Sequence, residues 1–399
     1  MRKEVSVLRK SSMRWFKNKS AGGKRGGVYE NFRCTAAGKF DAALFTAVAA
    51  LMIFGIIMVY SASSYVSLKN YGDDMYFTYK QIFGVVIALC AMLGFYFIDY
   101  HKLLKRKFIV LAVSFLLLAA VFIPGVGVEN YGAKRWIKFP FFTLQSSEIA
   151  KFGFVIFSAA YLAGYHDKIF RFRYLLPVIA AGGAMCFMIM LEPNMSVTVC
   201  LALIMLVMLF IGGAKLRHFV YILAPMACAV PLLIAAEPYR LSRLTAFLNP
   251  WENALEEGYQ LIQSLYALGS GGFFGVGIFN SRQKYLFLPF AESDFIFSVI
   301  GEELGLAGAI CVIAVYVFIV GRIIVAAQKA PDREGSYLAG GIAAVIAVQT
   351  VVNIAVVTGS IPPTGVPLPF VSAGSSSLIA FCAAVGMALN IRKQSVDCR

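Results

Sequence analysis

The sequence predicts an all-α polytopic membrane protein of about ten transmembrane helices, and three observations carry that prediction. Of 399 residues, 59% are hydrophobic and only 14% charged, where soluble domains carry about 25% charged residues. The mean hydropathy is +0.75. Stretches of roughly 20 apolar residues, enough to cross about 30 Å of hydrocarbon as a helix, recur along the chain. An ordinary soluble enzyme is excluded.

The chain opens with a polar, basic segment, residues 1–39, that includes Ala21-Gly22-Gly23-Lys24-Arg25-Gly26-Gly27. It reads as a disordered cytoplasmic tail, uncleaved because the span that follows is too long for a signal-peptide core. Ten spans then have their cores near 40–61, 81–98, 108–123, 149–165, 174–191, 195–212, 218–236, 295–327, 337–358 and 376–391. The eighth is long enough to tilt or to run past the membrane. Residues 40–391 thus form one membrane domain and 392–399 a short inner tail. With the N-terminus inside, the inner segments hold 26 of the 36 basic residues. The positive-inside rule then gives an N-in, C-in topology. The net charge of +15 reports orientation and contact with anionic membrane lipids, and no aromatic-basic platform for nucleic acid is evident.

The eight cysteines lie in spans or inner tails with no C-x-x-C, so neither a disulfide framework nor a zinc site is readable. His101, His166 and His218 all fall in or beside inner loops. Chemistry on the outer face therefore proceeds without imidazole, which removes Ser-His-Asp and His-metal sites there.

Four outer segments exceed tight turns: 62–80, 124–148, 237–294 and 359–375. The third has 58 residues and no apolar span, and a long loop in a compact membrane protein is usually functional. Within it Asn249-Pro250 marks a turn, and Leu255, Tyr259, Ile262 and Tyr266 follow at helical spacing, an amphipathic helix against the membrane or the bundle. Gly269-Ser270-Gly271-Gly272-Phe273-Phe274-Gly275-Val276-Gly277 comes next, either a flexible loop or a close approach of backbone to a ligand. The loop ends at Asp294, at the mouth of the eighth span. Desolvation there raises a carboxylate's pKa toward that of a useful general base. Asp294 is equally placed to cap the helix.

Residues 240–305 contain Asn249-Pro250-Trp251, Gly258-Tyr259-Gln260, Ser281-Arg282-Gln283-Lys284, Leu288-Pro289, Asp294-Phe295-Ile296-Phe297 and Gly301-Glu302-Glu303-Leu304-Gly305. With Gly132-Ala133-Lys134-Arg135-Trp136-Ile137, the run from Gln145 to Lys151, and Pro363-Thr364-Gly365-Val366-Pro367-Leu368-Pro369-Phe370, the chain resembles the SEDS family (shape, elongation, division and sporulation). The resemblance covers nearly everything after residue 40 and is nearer the division branch, FtsW, than the elongation branch, RodA.

That resemblance implies a glycosyltransferase of the bacterial plasma membrane, its active site facing outside, that polymerises lipid II into peptidoglycan strands with undecaprenyl diphosphate as leaving group. It also implies a class B penicillin-binding protein, a transpeptidase, as partner alongside other division proteins. Such a reaction needs a base, cations for the diphosphate and a groove for polyprenyl tails. By resemblance Asp294 is the essential aspartate, the base or the ligand of a divalent cation such as Mg2+ or Mn2+; one carboxylate and in-line displacement imply inversion. Candidate substrate ligands are Lys80, Lys134, Arg135, Lys151, Arg240, Arg243, Arg282 and Lys284, with Glu148 beside Lys151 on one helix face. An internal Glu148–Lys151 ion pair is the plainer account of those two. Trp136 could equally be an interfacial belt residue. Glu302 and Glu303 are intramembrane acids that either act or pair with Lys151 or a loop arginine.

The sequence departs from the family pattern at several places. Ser146 replaces a proline, Lys80 a common arginine, and Glu192-Pro193-Asn194 the commoner Gln-Pro-Asp. Phe290 and Glu292 occupy positions that often hold Glu and His. A lipid II flippase and a non-catalytic division scaffold are the alternatives. Missing internal repeats and an acid on the outer face argue against the transporter, and the retained Asp294 against the scaffold.

Overall fold

The computed structural model describes residues 40–130, 133–138, 143–235, 238–256 and 258–395. Within these the side chains of 129–130, 133–134, 226, 229–235 and 238–241 are not described. Both tails read from the sequence, except 392–395, lie outside the described residues.

Among the described residues ten apolar helices fall on the ten expected spans: α1 (Ala42–Tyr71), α2 (Tyr76–Phe97), α4 (Lys107–Ala120), α5 (Ser146–Gly164), α6 (Leu176–Leu191), α7 (Met195–Ile211), α8 (Leu216–Ala235), α11 (Ile296–Gln328), α12 (Arg333–Val357) and α13 (Ser375–Gln394). Three further helices, α3 (Tyr100–Lys105), α9 (Pro238–Leu248) and α10 (Tyr259–Gly271), lie in the connections. Among the described residues α1, α2, α11, α12 and α13 are each long and apolar enough to cross a membrane. Neighbours bury 67% and 78% of the apolar windows of α12 and α13 but only 28–39% of those of α1, α2 and α11. Helices α12 and α13, with α5, whose residues are nearly all buried, are therefore central to the bundle, and the other three lie nearer its periphery. This is a polytopic, predominantly α-helical membrane protein.

The connections differ from the sequence expectation in four ways. Helix α1 continues ten residues past the expected core. Ser63 and Ser67 stay buried in that extension, and the helix stops where Gly72 takes a left-handed conformation (φ 74°) and returns its N–H to Leu68, a glycine C-cap. The segment after α4 forms a small antiparallel sheet, β1 (Gly127–Asn130), β2 (Ala133–Lys138) and β3 (Thr143–Gln145), in the order β1-β2-β3. Val128 and Gln145 both pair with Trp136. Its strands are short and charged, so no apolar alternation announced them. Helix α10 starts at Tyr259 and buries Leu261, Ile262 and Ala267. Leu255 is left 94% exposed and Tyr266 50%, so the buried face is not the one their spacing suggested.

The fourth difference is a break in α11. Gly305 has φ 68° and ψ −168°, a backbone that L side chains rarely adopt. It separates a nine-residue entry segment from 23 residues that rise about 35 Å, one membrane crossing. The glycine-rich stretch after α10 satisfies the amides and carbonyls released by the break: Val276 and Gly277 donate to the carbonyls of Glu302 and Glu303 (both 3.0 Å), and Leu306 and Ala307 donate to those of Gly272 and Phe273 (3.0 and 3.1 Å). A Cβ on Gly275 would sit 2.2 Å from the Glu303 carbonyl oxygen, so a side chain there excludes the pairing.

The side chains of Glu302 and Glu303 extend the same junction. Glu302 accepts from Ser281 Oγ (2.5 Å) and from the Arg282 amide (2.9 Å). Glu303 pairs with Lys284 (3.2 Å) and accepts from Ser61 Oγ on α1 (2.5 Å). Lys284 is 4% exposed and Glu303 is fully buried. Removing one partner of a buried ion pair costs about 3–5 kcal/mol because the other charge is stranded. Lys284→Met should therefore lower the unfolding midpoint of the purified protein clearly, and Lys284→Met with Glu303→Gln should recover most of the loss. An unchanged midpoint in the single variant would mean that Glu303 is not stranded by losing its lysine.

Candidate active-site cavity

A cavity of about 1520 Å³ lies at the end of the bundle where α11 begins. Its wall combines β2, the α6–α7 turn, α9, the residues before α11 and the segment between α12 and α13. Among the described lining residues, Lys80, Arg135, Lys138 and Arg243 are cationic and Asp294 is acidic.

Asp294 is held through its backbone. Asn353 on α12 donates to the carbonyls of Asp294 (2.9 Å) and Val366 (2.7 Å). Ser372 Oγ donates to the Ser293 carbonyl (2.5 Å), and the Ala373 amide to that of Glu292 (2.9 Å). The proline-rich segment after α12 and the turn before α11 are thus stitched into one unit, which satisfies backbone that lipid could not. The first residue flanking α11 is Phe295, with no side-chain cap bond. Asp294 lies one residue further out, so the capping alternative does not hold and its carboxyl faces the cavity. A Cβ on Gly365 would come within 3.0 Å of Asp294 Oδ2; the glycine leaves room for the carboxyl.

Burial pushes the Asp294 carboxyl up to about 7, the neighbouring Glu292 acts in the same direction, and Arg135 and Arg243 oppose. Burial raises Glu292 as well. A carboxyl near 7 is half ionised at neutral pH, the range in which a general base works best. Among the described residues no three His, Cys, Asp or Glu side chains form a metal cluster. The carboxylates at this wall are Asp294 and, behind it, Glu292.

The cations divide into two sets. Arg135 reaches the cavity from β2 and donates to the carbonyls of Glu192 (3.3 Å) and Pro193 (2.5 Å). Arg243 enters from α9 and donates to the Pro363 carbonyl at 3.5 Å. Lys80 on α2 donates to Tyr76 Oη at 2.6 Å. The second set does not line the cavity. Lys151 and Glu148 are fully buried and paired at 2.8 Å, with Lys151 also bonded to Gln349 and Glu148 accepting from Ser377 at 3.4 Å. Ser377 itself lines the cavity, so the pair sits one layer behind the wall. The two thus form the internal ion pair that the sequence offered as the plainer account. Lys284 bonds to Glu303 and Ser61; Glu302 and Glu303 pair with that loop and not with Lys151. Arg282 is exposed and meets Glu302 through its amide. The side chains of Lys134 and Arg240 lie outside the described residues.

Sequence reasoning missed Lys138. Read as a strand, 133–138 places it two residues from Trp136 and hence on the same face, a signal hidden by the all-α expectation. Trp136 lines the cavity. His101, His166 and His218 do not line it. The rest of the wall mixes neutral polar residues, such as Gln145, Asn194 and Ser377, with an apolar side: Phe83 on α2, and Phe187 and Leu191 on α6, line the cavity while remaining 51%, 65% and 54% exposed, so the wall continues into the outer surface of the bundle.

Residues 41–397 match the family model described as cell cycle protein, FtsW/RodA/SpoVE. The chain is similar to stage V sporulation protein E of Bacillus subtilis, 39% identical over 86% of this chain and 94% of that protein. It is similar also to a probable peptidoglycan glycosyltransferase FtsW of Trichlorobacter lovleyi, 41% identical over 88% and 93%. Among solved structures, one described as "Structural coordination of polymerization and crosslinking by a peptidoglycan synthase complex" matches with a TM-score of 0.73 at 26% identity, over 88% of this chain and 97% of that one. The rod shape determining protein RodA of Thermus thermophilus shares the fold with a TM-score of 0.66 at 24% identity, over 90% and 98%. With the match running from the first helix to the last and relatives near 40% identity along the same length, the chain belongs to the FtsW/RodA/SpoVE family of cell cycle proteins.

Proposed function

We propose that this protein is a peptidoglycan glycosyltransferase that polymerises lipid II, with the cavity around Asp294 as its active site on the outer face of the bacterial plasma membrane. The observation that carries this reading is a single carboxyl raised toward 7 in a cavity whose other charged side chains are cationic, with neutral polar and apolar residues completing the wall. The ionised Asp294 takes the proton from the sugar hydroxyl of the acceptor. Arg135 and Arg243, with Lys80 and Lys138, stabilise the negative charge that develops on the departing diphosphate. Phe83, Phe187 and Leu191 accept the polyprenyl chain. One carboxylate and direct displacement at the anomeric carbon give inversion without a covalent intermediate.

A divalent cation fits the same wall, since Mg2+ is commonly held by one or two carboxylates together with substrate phosphates. Asp294 would hold it, and it would supply further neutralisation of the diphosphate. The partner in this reading is a class B penicillin-binding protein that crosslinks the strands. Support comes from the fold shared with a chain of a peptidoglycan synthase complex.

Purified wild type with its transpeptidase partner should convert lipid II into long glycan strands, and Asp294→Asn should insert and fold normally yet make none. Strand synthesis by Asp294→Asn would move the chemistry elsewhere, and lipid II translocation without any synthesis would favour a transporter. Because Asp294 is neutral below about 7 and ionised above it, kcat/KM should rise with pH through an apparent pKa near 7, tenfold per unit on the acid side. A flat profile between pH 5.5 and 7 would exclude Asp294 as the base. Arg243→Ala should weaken lipid II binding by about tenfold or more, the scale of one charge-assisted contact; unchanged affinity in a binding titration would leave Arg243 a structural role.

A further inference from the structure

The α6–α7 turn carries a second buried acid that the proposed reaction does not use. Glu192 follows the last residue of α6 and is 1% exposed. Its Oε1 accepts from Ser146 Oγ, the first residue of α5, at 3.3 Å. Its Oε2 has no hydrogen-bond partner among the described residues. On its backbone side the same residue accepts from Arg135 Nε at 3.3 Å, and Pro193 accepts from the Arg135 terminal nitrogen at 2.5 Å. Glu192 therefore lies between the start of α5 and a cavity cation. Two departures from the family pattern, at 146 and 192, meet in one hydrogen bond.

The chemistry of this arrangement is constrained. A buried carboxylate with one oxygen unpartnered is costly as an anion and much less so as a neutral acid. Ser146 can give its hydroxyl proton to one oxygen only. The charged group whose field reaches Glu192 is Arg135; Asn194 and Ser196, across the turn, are uncharged. An anion at 192 would compete with any cavity ligand for the Arg135 guanidinium.

We propose that Glu192 is a positioning residue for Arg135: as a neutral acid held by Ser146 it leaves the guanidinium charge to an anionic diphosphate headgroup in the cavity, and on ionising it draws that charge to itself. The proposal rests on Arg135 being a diphosphate ligand. Burial moves the Glu192 carboxyl up to about 8, with the Ser146 hydrogen bond and the Arg135 charge acting the other way. Glu192 is thus mainly neutral at pH 7 and mainly ionised at pH 9. By linkage, the proton on Glu192 and the anion beside Arg135 favour each other, and coupling of this kind is commonly fivefold or more.

The test uses the full-length protein in lipid nanodiscs with Trp15 and Trp251 replaced by phenylalanine, so that Trp136, next to Arg135, is the sole indole, and with Asp294 replaced by asparagine, because its carboxyl also ionises near 7 in the field of Arg135. Two quantities are read: Trp136 emission without ligand from pH 6.5 to 9, and the affinity for farnesyl diphosphate at pH 7 and pH 9. The emission should titrate near pH 8 and the affinity should fall about fivefold or more between the two pH values. Glu192→Gln should abolish both changes while keeping the pH 7 affinity. Ser146→Ala should move the emission midpoint upward, since it removes a bond that favours the charged form. A parent protein with Glu192 intact whose emission does not titrate, or a Glu192→Gln protein that keeps the titration, overturns the proposal. Emission that titrates only with Glu192 present, in a protein that binds no farnesyl diphosphate at either pH, supports the link between Glu192 and Arg135 and overturns the assignment of the ligand.

Discussion

The architecture around the cavity depends on one constraint: backbone polar groups near hydrocarbon must find partners within the protein. An unpaired amide in lipid costs several kcal/mol, and α11 releases several at Gly305. The glycine-rich stretch after α10 takes them up, which brings the outer loop back along the first turns of α11. Glu302 and Glu303 then fix Ser281, Arg282 and Lys284 by their side chains. The loop is long, yet its course is determined by one helix break, and the residues that lead into Asp294 follow from there.

Charge is distributed by the same logic. Cations that meet a buried carboxylate are structural, as with Lys151 on Glu148 and Lys284 on Glu303. Arg135 and Arg243 instead donate to main-chain carbonyls. A carbonyl orients a guanidinium, so these bonds aim the two arginines at the cavity. Asp294 is placed in a comparable way, by bonds to its backbone that leave the carboxyl itself uncommitted.

Much of this was legible in the sequence. The ten helices follow from apolar run length, and Asp294 stands out as an acid directly before such a run. What the sequence concealed depends on partners far apart in the chain. Gln349 lies 198 residues from Lys151, and Ser61 lies 242 residues from Glu303; no local pattern distinguishes a buried lysine from a ligand. The sheet escaped because its strands are short and charged, and Lys138 escaped with it. The break at Gly305 was hidden within a long span, since a glycine there reads equally as packing. The departures at Ser146 and Glu192 were visible one at a time, and only the fold brings them together.

The apolar side of the cavity bears on how its contents arrive. Phe83, Phe187 and Leu191 belong both to the cavity wall and to the exposed apolar surface of the bundle. A molecule with a long hydrocarbon tail reaching this site by that side diffuses in two dimensions within the leaflet. The quantity that governs occupancy is then its mole fraction among lipids, and its concentration in the bulk solution is secondary. Diluting a lipid substrate with inert lipid should depress the rate even when total substrate is unchanged. A detergent whose tails occupy the same wall acts as a competitor as well as a solvent.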